Sequence, residues 1–174
     1  EDPAAELDQL YDDYVEARLA RFPVSATFVG DHRYDDRFEN TADPAFERSR
    51  EAEQRQFLAR ARAVDRDALT ASQRLGYDIF VRDREEALAR MPFPDRLLPI
   101  DQMDNMATTF AQLGSGTGAQ PCATAADYWM FLKRADGFSA WVDSAIAAMR
   151  EGIERGVVNP RVIMLQVVPQ LRAI

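Results

Sequence analysis

Hydrophobic positions recur with helical spacing along almost the whole chain. Leu7, Leu10, Tyr11 and Tyr14, continued by Arg18, follow the i, i+3, i+4, i+7 pattern of one helical face. Val15, Leu19 and Phe22 widen that face until Pro23 ends it. Asp43-Pro44 reads as a cap followed by a first-turn proline, and Phe46, Phe57, Leu58, Ala61 and Val64 make a sparse apolar face on the next helix. Thr70 with Gln73 forms a capping box for a third, whose face reads as Leu75, Ile79, Phe80, Ala87 and Leu88. Thr124 opens the longest stretch, with Tyr128, Phe131, Leu132, Ala135, Phe138, Val142, Ile146 and Met149 predicted inward and Gly156 as C-terminal cap. Asn159-Pro160 repeats the cap-then-proline start for a fifth helix, which Pro169 is expected to kink. Shorter helical candidates lie at 25–29 and 105–113, and no alternating strand pattern exceeds a few residues. The expectation is an all-α chain of about five main helices with long irregular connectors. The two richest stripes, on the first helix and on the helix after Thr124, are expected to pack on each other.

Composition narrows the function. The 174 residues are 47% hydrophobic and 29% charged, a globular balance. Twenty-one Lys and Arg against 29 Asp and Glu give a net charge of −8, which argues against nucleic acid as the main partner. No apolar run approaches the roughly 18 residues of a membrane-spanning helix. One cysteine, Cys122, rules out an internal disulfide or a thiolate zinc cluster, and one histidine, His32, rules out any site needing two imidazoles.

The densest polar cluster is Gly30-Asp31-His32-Arg33-Tyr34-Asp35-Asp36-Arg37. Read functionally, it is a loop between helices that offers Asp31, His32, Arg33 and Tyr34 to a substrate. Read structurally, its Asp–Arg pairs simply hold a connector in place. The structural reading weighs more on composition. Zinc would need more nitrogen or sulfur donors, and the aspartates lack the spacing of a calcium loop. The glycine loop 114–118 lacks the Lys-Ser/Thr and the preceding strand of a phosphate loop, so a linker is expected. Cys122 precedes a helix start but has no histidine near it in sequence, so a structural thiol is expected. These residues give no catalytic set and no metal set.

Longer strings carry a resemblance. Pro23-Val24-Ser25-Ala26-Thr27, the cluster 30–37, Leu97-Leu98-Pro99-Ile100-Asp101-Gln102, Asp127-Tyr128, Met149-Arg150-Glu151-Gly152-Ile153 and Gly156-Val157-Val158 before Pro160-Arg161 resemble, in order, the bacterial "domain of unknown function 885" family. That resemblance implies the front section of a larger helical, gluzincin-like zinc metallopeptidase fold. Its His-Glu-x-x-Pro-Gly-His-His motif would lie downstream of residues 1–174. It further implies export, in some members as a lipoprotein, with zinc in the full-length parent and a peptide as substrate. This chain would then be a non-catalytic helical region that packs on the missing C-terminal catalytic part and helps wall its cleft. A stand-alone helical binding or scaffold module is the alternative. In keeping with the first reading, Val162, Leu165, Val168 and Leu171 are expected to form an apolar face left uncovered within these residues.

Overall fold

The computed structural model describes residues 2–174, and among them regular structure is entirely helical. Seven α-helices follow one another: α1 Pro3–Arg21, α2 Pro23–Phe28, α3 Pro44–Ala63, α4 Ala71–Arg90, α5 Met106–Leu113, α6 Ala125–Arg155 and α7 Arg161–Arg172. The five main helices expected from the sequence are α1, α3, α4, α6 and α7. The short candidates became α2 and α5, so the count is seven rather than five. Single 3-10 turns stand at His32–Tyr34, Arg66–Ala68 and Asp95–Leu97.

Local chemistry sets the helix ends. Thr70 accepts from the Gln73 N–H while the Gln73 side chain takes the Thr70 N–H, and Thr124 and Asp127 do the same for α6. Gly156 closes α6 at φ +71°, a left-handed conformation that a Cβ would strain. The start of α7 differs from expectation. Pro160 occupies the cap position, and Asn159 instead donates its Nδ2 to the Ile100 carbonyl at 2.8 Å. Pro169 does lie inside α7.

The chain divides into two compact units. One comprises the chain up to Arg18 with Ala45–Phe93, and the other Leu19–Pro44 with Pro94–Ile174. In the first, Leu7 and Leu10 of α1 are buried with Phe57 and Ala61 of α3, Val64, Leu69, and Tyr77 and Phe80 of α4. Tyr14 meets Phe57 and Phe80 edge-on, each at 5.2 Å between ring centroids. Arg84, itself buried, lays its guanidinium 4.1 Å from the Tyr14 ring centre and 4.8 Å from that of Phe80. Such a desolvated cation–π pair is worth about 2 kcal/mol. The inward face of α4 is therefore Tyr77, Phe80 and Arg84, while Leu75 and Ile79 are exposed.

The second unit is built on Trp141, Ala145, Ala42, Ile100 and Val167, with Phe38, Phe138 and Met164 around them. Phe110 of α5 stacks on Phe138 at 4.1 Å and on Phe131 at 5.2 Å, and Phe38 meets Phe138 edge-on at 5.4 Å. Trp141 Nε1 donates to Thr41 Oγ1, and Asn40 Nδ2 to Ser144 Oγ. The α1 stripe is thus buried by α3 and α4, and α6 takes its core partners from α5, α7 and residues 38–42. Each of the two stripes expected to pack on the other therefore has core partners inside its own unit. The α6 face is shifted too: Arg134, Trp141, Ala145, Ala148 and Gly152 are buried, while Tyr128 and Leu132 are more than half exposed.

Candidate functional site

The polar cluster follows α2, which Gly30 ends. Asp31 caps the next turn by accepting the Arg33 N–H at 3.1 Å, and its carboxylate also takes the Arg33 guanidinium through Nε at 3.0 Å and Nη2 at 2.6 Å. Those bonds hold the Asp31 carboxyl below the usual carboxylate range. The guanidinium groups of Arg33 and Arg37 stand 5.4 and 5.3 Å from the Tyr34 ring centre. His32 Nδ1 is 2.9 Å from Asp35 Oδ2. The structure therefore does bring the four candidate residues together. Asp31, Arg33 and Tyr34 engage one another or Arg37, His32 turns to Asp35, and the His32 and Arg33 side chains are about half exposed.

The loop is anchored by a residue that sequence reasoning missed. Arg134, from the middle of α6, is fully buried beneath it. Its Nη2 donates to the Tyr34 carbonyl at 2.9 Å and Thr27 Oγ1 at 2.8 Å, Nε to the Arg37 carbonyl at 2.9 Å, and Nη1 to Gln120 Oε1 at 2.6 Å. Asp35 Oδ1, 3.4 Å from Nη2, supplies the nearest negative charge, and Thr27 Oγ1 donates to the same oxygen. Burial lowers the Arg134 pKa, an effect that Asp35 and Glu39 oppose. Glu39 accepts the Val24 N–H through Oε2, yet burial still lifts its pKa above the ordinary value. With its bonds used inside the fold, Arg134 holds α2 and the loop in shape rather than offering a free cation. The available signal was its place on one helical face with Phe131, Phe138 and Trp141, three, four and seven positions away.

Two other features of this unit are apolar. Leu97, Leu98, Met149, Ile153, Val157 and Met164 line a cleft of about 170 Å³. Along α7, Val162, Leu165, Val168 and Leu171 are 67%, 55%, 44% and 41% exposed. Loop 114–118 closes on its own hydroxyls, with Ser115 Oγ donating to the Gln112 carbonyl and accepting the Thr117 N–H. Cys122 is a free, half-buried thiol.

Among the described residues no three His, Cys, Asp or Glu side chains are grouped to hold a metal ion, and the one imidazole turns to Asp35. Zinc therefore does not fit this set of donors. Among the described residues no helix is long and apolar enough to cross a membrane.

What the fold defines is an all-helical protein whose polar loop is clamped from beneath by a buried arginine. Residues 23–174 match the model of a family described as "Bacterial protein of unknown function (DUF885)", and the chain belongs to that family. No curated protein matches it. No solved structure does either.

Proposed function

We propose that this chain is a non-catalytic helical region of an exported, zinc-metallopeptidase-like protein, and that it helps wall the substrate cleft. The observation that carries this reading is the exposed apolar surface of α7, where Val162, Leu165, Val168 and Leu171, spaced three residues apart, are between 41% and 67% exposed. Water-facing apolar surface of this kind marks a docking surface when it is contiguous. The partner that suits it is a catalytic part of the same protein, which would supply the zinc ligands that these residues lack. In this arrangement Asp31, His32, Arg33 and Tyr34 form a polar rim, with His32 and Arg33 reaching toward a peptide substrate.

The coding sequence after Ile174 tests the reading most cheaply. A downstream His-Glu helix motif supports it, and an immediate stop codon favours a stand-alone binding module. The physical test expresses the downstream part separately and measures its binding to this chain. Binding that Leu165→Asp abolishes supports the proposal, and an absence of binding by the unaltered chain refutes it.

A further inference from the structure

The 3-10 turn His32–Tyr34 sets the side chain of His32 against that of Asp35, because residues three apart stand one above the other on such a turn. A continuous line of hydrogen bonds runs from the buried Arg134 through Thr27 and Asp35 to His32. Arg134 Nη2 lies 2.8 Å from Thr27 Oγ1, which bonds Asp35 Oδ1, and Asp35 Oδ2 lies 2.9 Å from His32 Nδ1. The three inner residues are buried, whereas the imidazole at the outer end is 48% exposed.

The hydrogens along this line have one arrangement. A guanidinium only donates, so Arg134 gives its hydrogen to Thr27 Oγ1. The single hydroxyl hydrogen of Thr27 then points on to Asp35 Oδ1, which is nearer than its other acceptor, the Pro23 carbonyl at 3.1 Å. Asp35, whose Oδ1 also lies 3.4 Å from Arg134 Nη2, is a carboxylate and only accepts. The last bond of the line must therefore take its hydrogen from His32 Nδ1. In a neutral imidazole one nitrogen carries the hydrogen and the other a lone pair, so Nε2 is the acceptor. Nδ1 is turned to a buried carboxylate, and Nε2, across the ring from it, stands on the exposed side.

We propose that Asp35 is a positioning residue that holds His32 in its Nδ1–H form, and that His32 Nε2 thereby serves this loop as a fixed acceptor for a main-chain N–H of a peptide. A lone pair at Nε2 takes an N–H or O–H donor and repels the oxygens of a carboxylate or phosphate. The tautomer follows from the line of hydrogen bonds alone. The choice of a peptide N–H among such donors rests on the reading of this loop as the polar rim of a peptide cleft.

His32 is the single histidine of the sequence, so the untagged chain gives one pair of imidazole nitrogens to observe. Their 15N resonances are recorded at about pH 8.5, where an imidazole is neutral. The expected result is a hydrogen-bearing Nδ1 and a bare Nε2, the reverse of what a solvated histidine prefers. N-acetyl-trialanine N-methylamide should then move the Nε2 resonance saturably, and N-acetylproline dimethylamide, which has no N–H, should not. In Asp35→Asn, Thr27 and Arg134 still hold the side-chain oxygen, so the amide nitrogen turns to His32 and donates to Nδ1. That variant should invert the tautomer and weaken peptide binding about tenfold. The tautomer of the unaltered chain needs no variant, so the proposal stays falsifiable if Asp35→Asn folds poorly. A bare Nδ1 in the unaltered chain, or an unchanged tautomer in Asp35→Asn, would overturn the positioning role and leave the peptide-cleft reading standing. No saturable response to the blocked peptide, or an equal response to both probes, would overturn the assigned ligand. Whether the chain walls a cleft is read separately, from its binding to the downstream part.

Discussion

Arg134 is a cation with no exposed surface, held by the carbonyls of Tyr34 and Arg37, by Thr27 and Gln120, and by the nearby Asp35 carboxylate. Arg134→Met would leave those acceptors and the Asp35 charge buried without their donor. Urea denaturation should show a loss of about 3–5 kcal/mol, the range for removing one partner of a buried ion pair. Arg134→Lys should recover little, because an ammonium cannot span carbonyls reached by three different guanidinium nitrogens. Glu39 behaves oppositely. Its folded pKa lies above the ordinary 4.5 because of burial, so its contribution favours folding below pH 4.5 and is lost as pH rises through the folded value. Glu39→Gln can keep an oxygen for the Val24 N–H and removes the buried charge. It should therefore gain stability over the parent at pH 7, and that gain should vanish as pH falls to about 4.5. Paired denaturation curves at the two pH values check this. The exposed carboxylates of Asp13, Asp78 and Glu151, whose pKa values arginine hydrogen bonds lower, have the reverse sign and lose their contribution in acid.

Helix ends and helix faces differed in how much of them could be read from sequence. The caps at Thr70, Thr124 and Gly156 were legible because each depends on residues within a few positions. The inward faces of α4 and α6 were read only in part, with Phe80, Phe138 and Val142 placed correctly and Leu75, Ile79, Tyr128 and Leu132 not, for a shared physical reason. Each carries an arginine at a core position, Arg84 over aromatic rings and Arg134 under the polar loop, so the buried line reads as broken and a neighbouring line looks more apolar. The polar loop was visible as a cluster. Its anchor was not, since Thr27 and Arg134 stand 107 positions apart. At the C-terminal turn of α6 two glycines do different work. A Cβ on Gly152 would lie 2.5 Å from the Val157 carbonyl oxygen and 3.3 Å from that of Leu97, both backbone atoms that cannot swing aside. A Cβ on Gly156 meets nothing nearby and faces only its φ of +71°. Gly156→Ala should cost about 1–2 kcal/mol. Gly152→Ala should cost more, about 3 kcal/mol, with both values measured by chemical denaturation.

For the molecule as a whole, the two separate cores predict separate responses to damage. Leu10→Ala removes a buried side chain from the α1, α3 and α4 core and should cost about 2–5 kcal/mol. Hydrogen exchange should then show protection falling further in residues 45–93 than in 125–155, because local opening follows the unit that lost its packing. The order in which the chain is made gives the clamp on α2 another meaning. Every residue of the first unit precedes Pro94, whereas α2 and the loop after it wait for α6. At about 5–20 residues per second, the interval between making Thr27 and making Arg134 is roughly 5–20 s. During it, residues 19–44 hang as a tether whose two ends continue into α1 and α3. Once those helices pair, the ends of the tether are already held, and the loop-closure entropy for this stretch has been met before its own core exists. When Arg134 emerges from the ribosome, it finds a confined segment to capture rather than a free one.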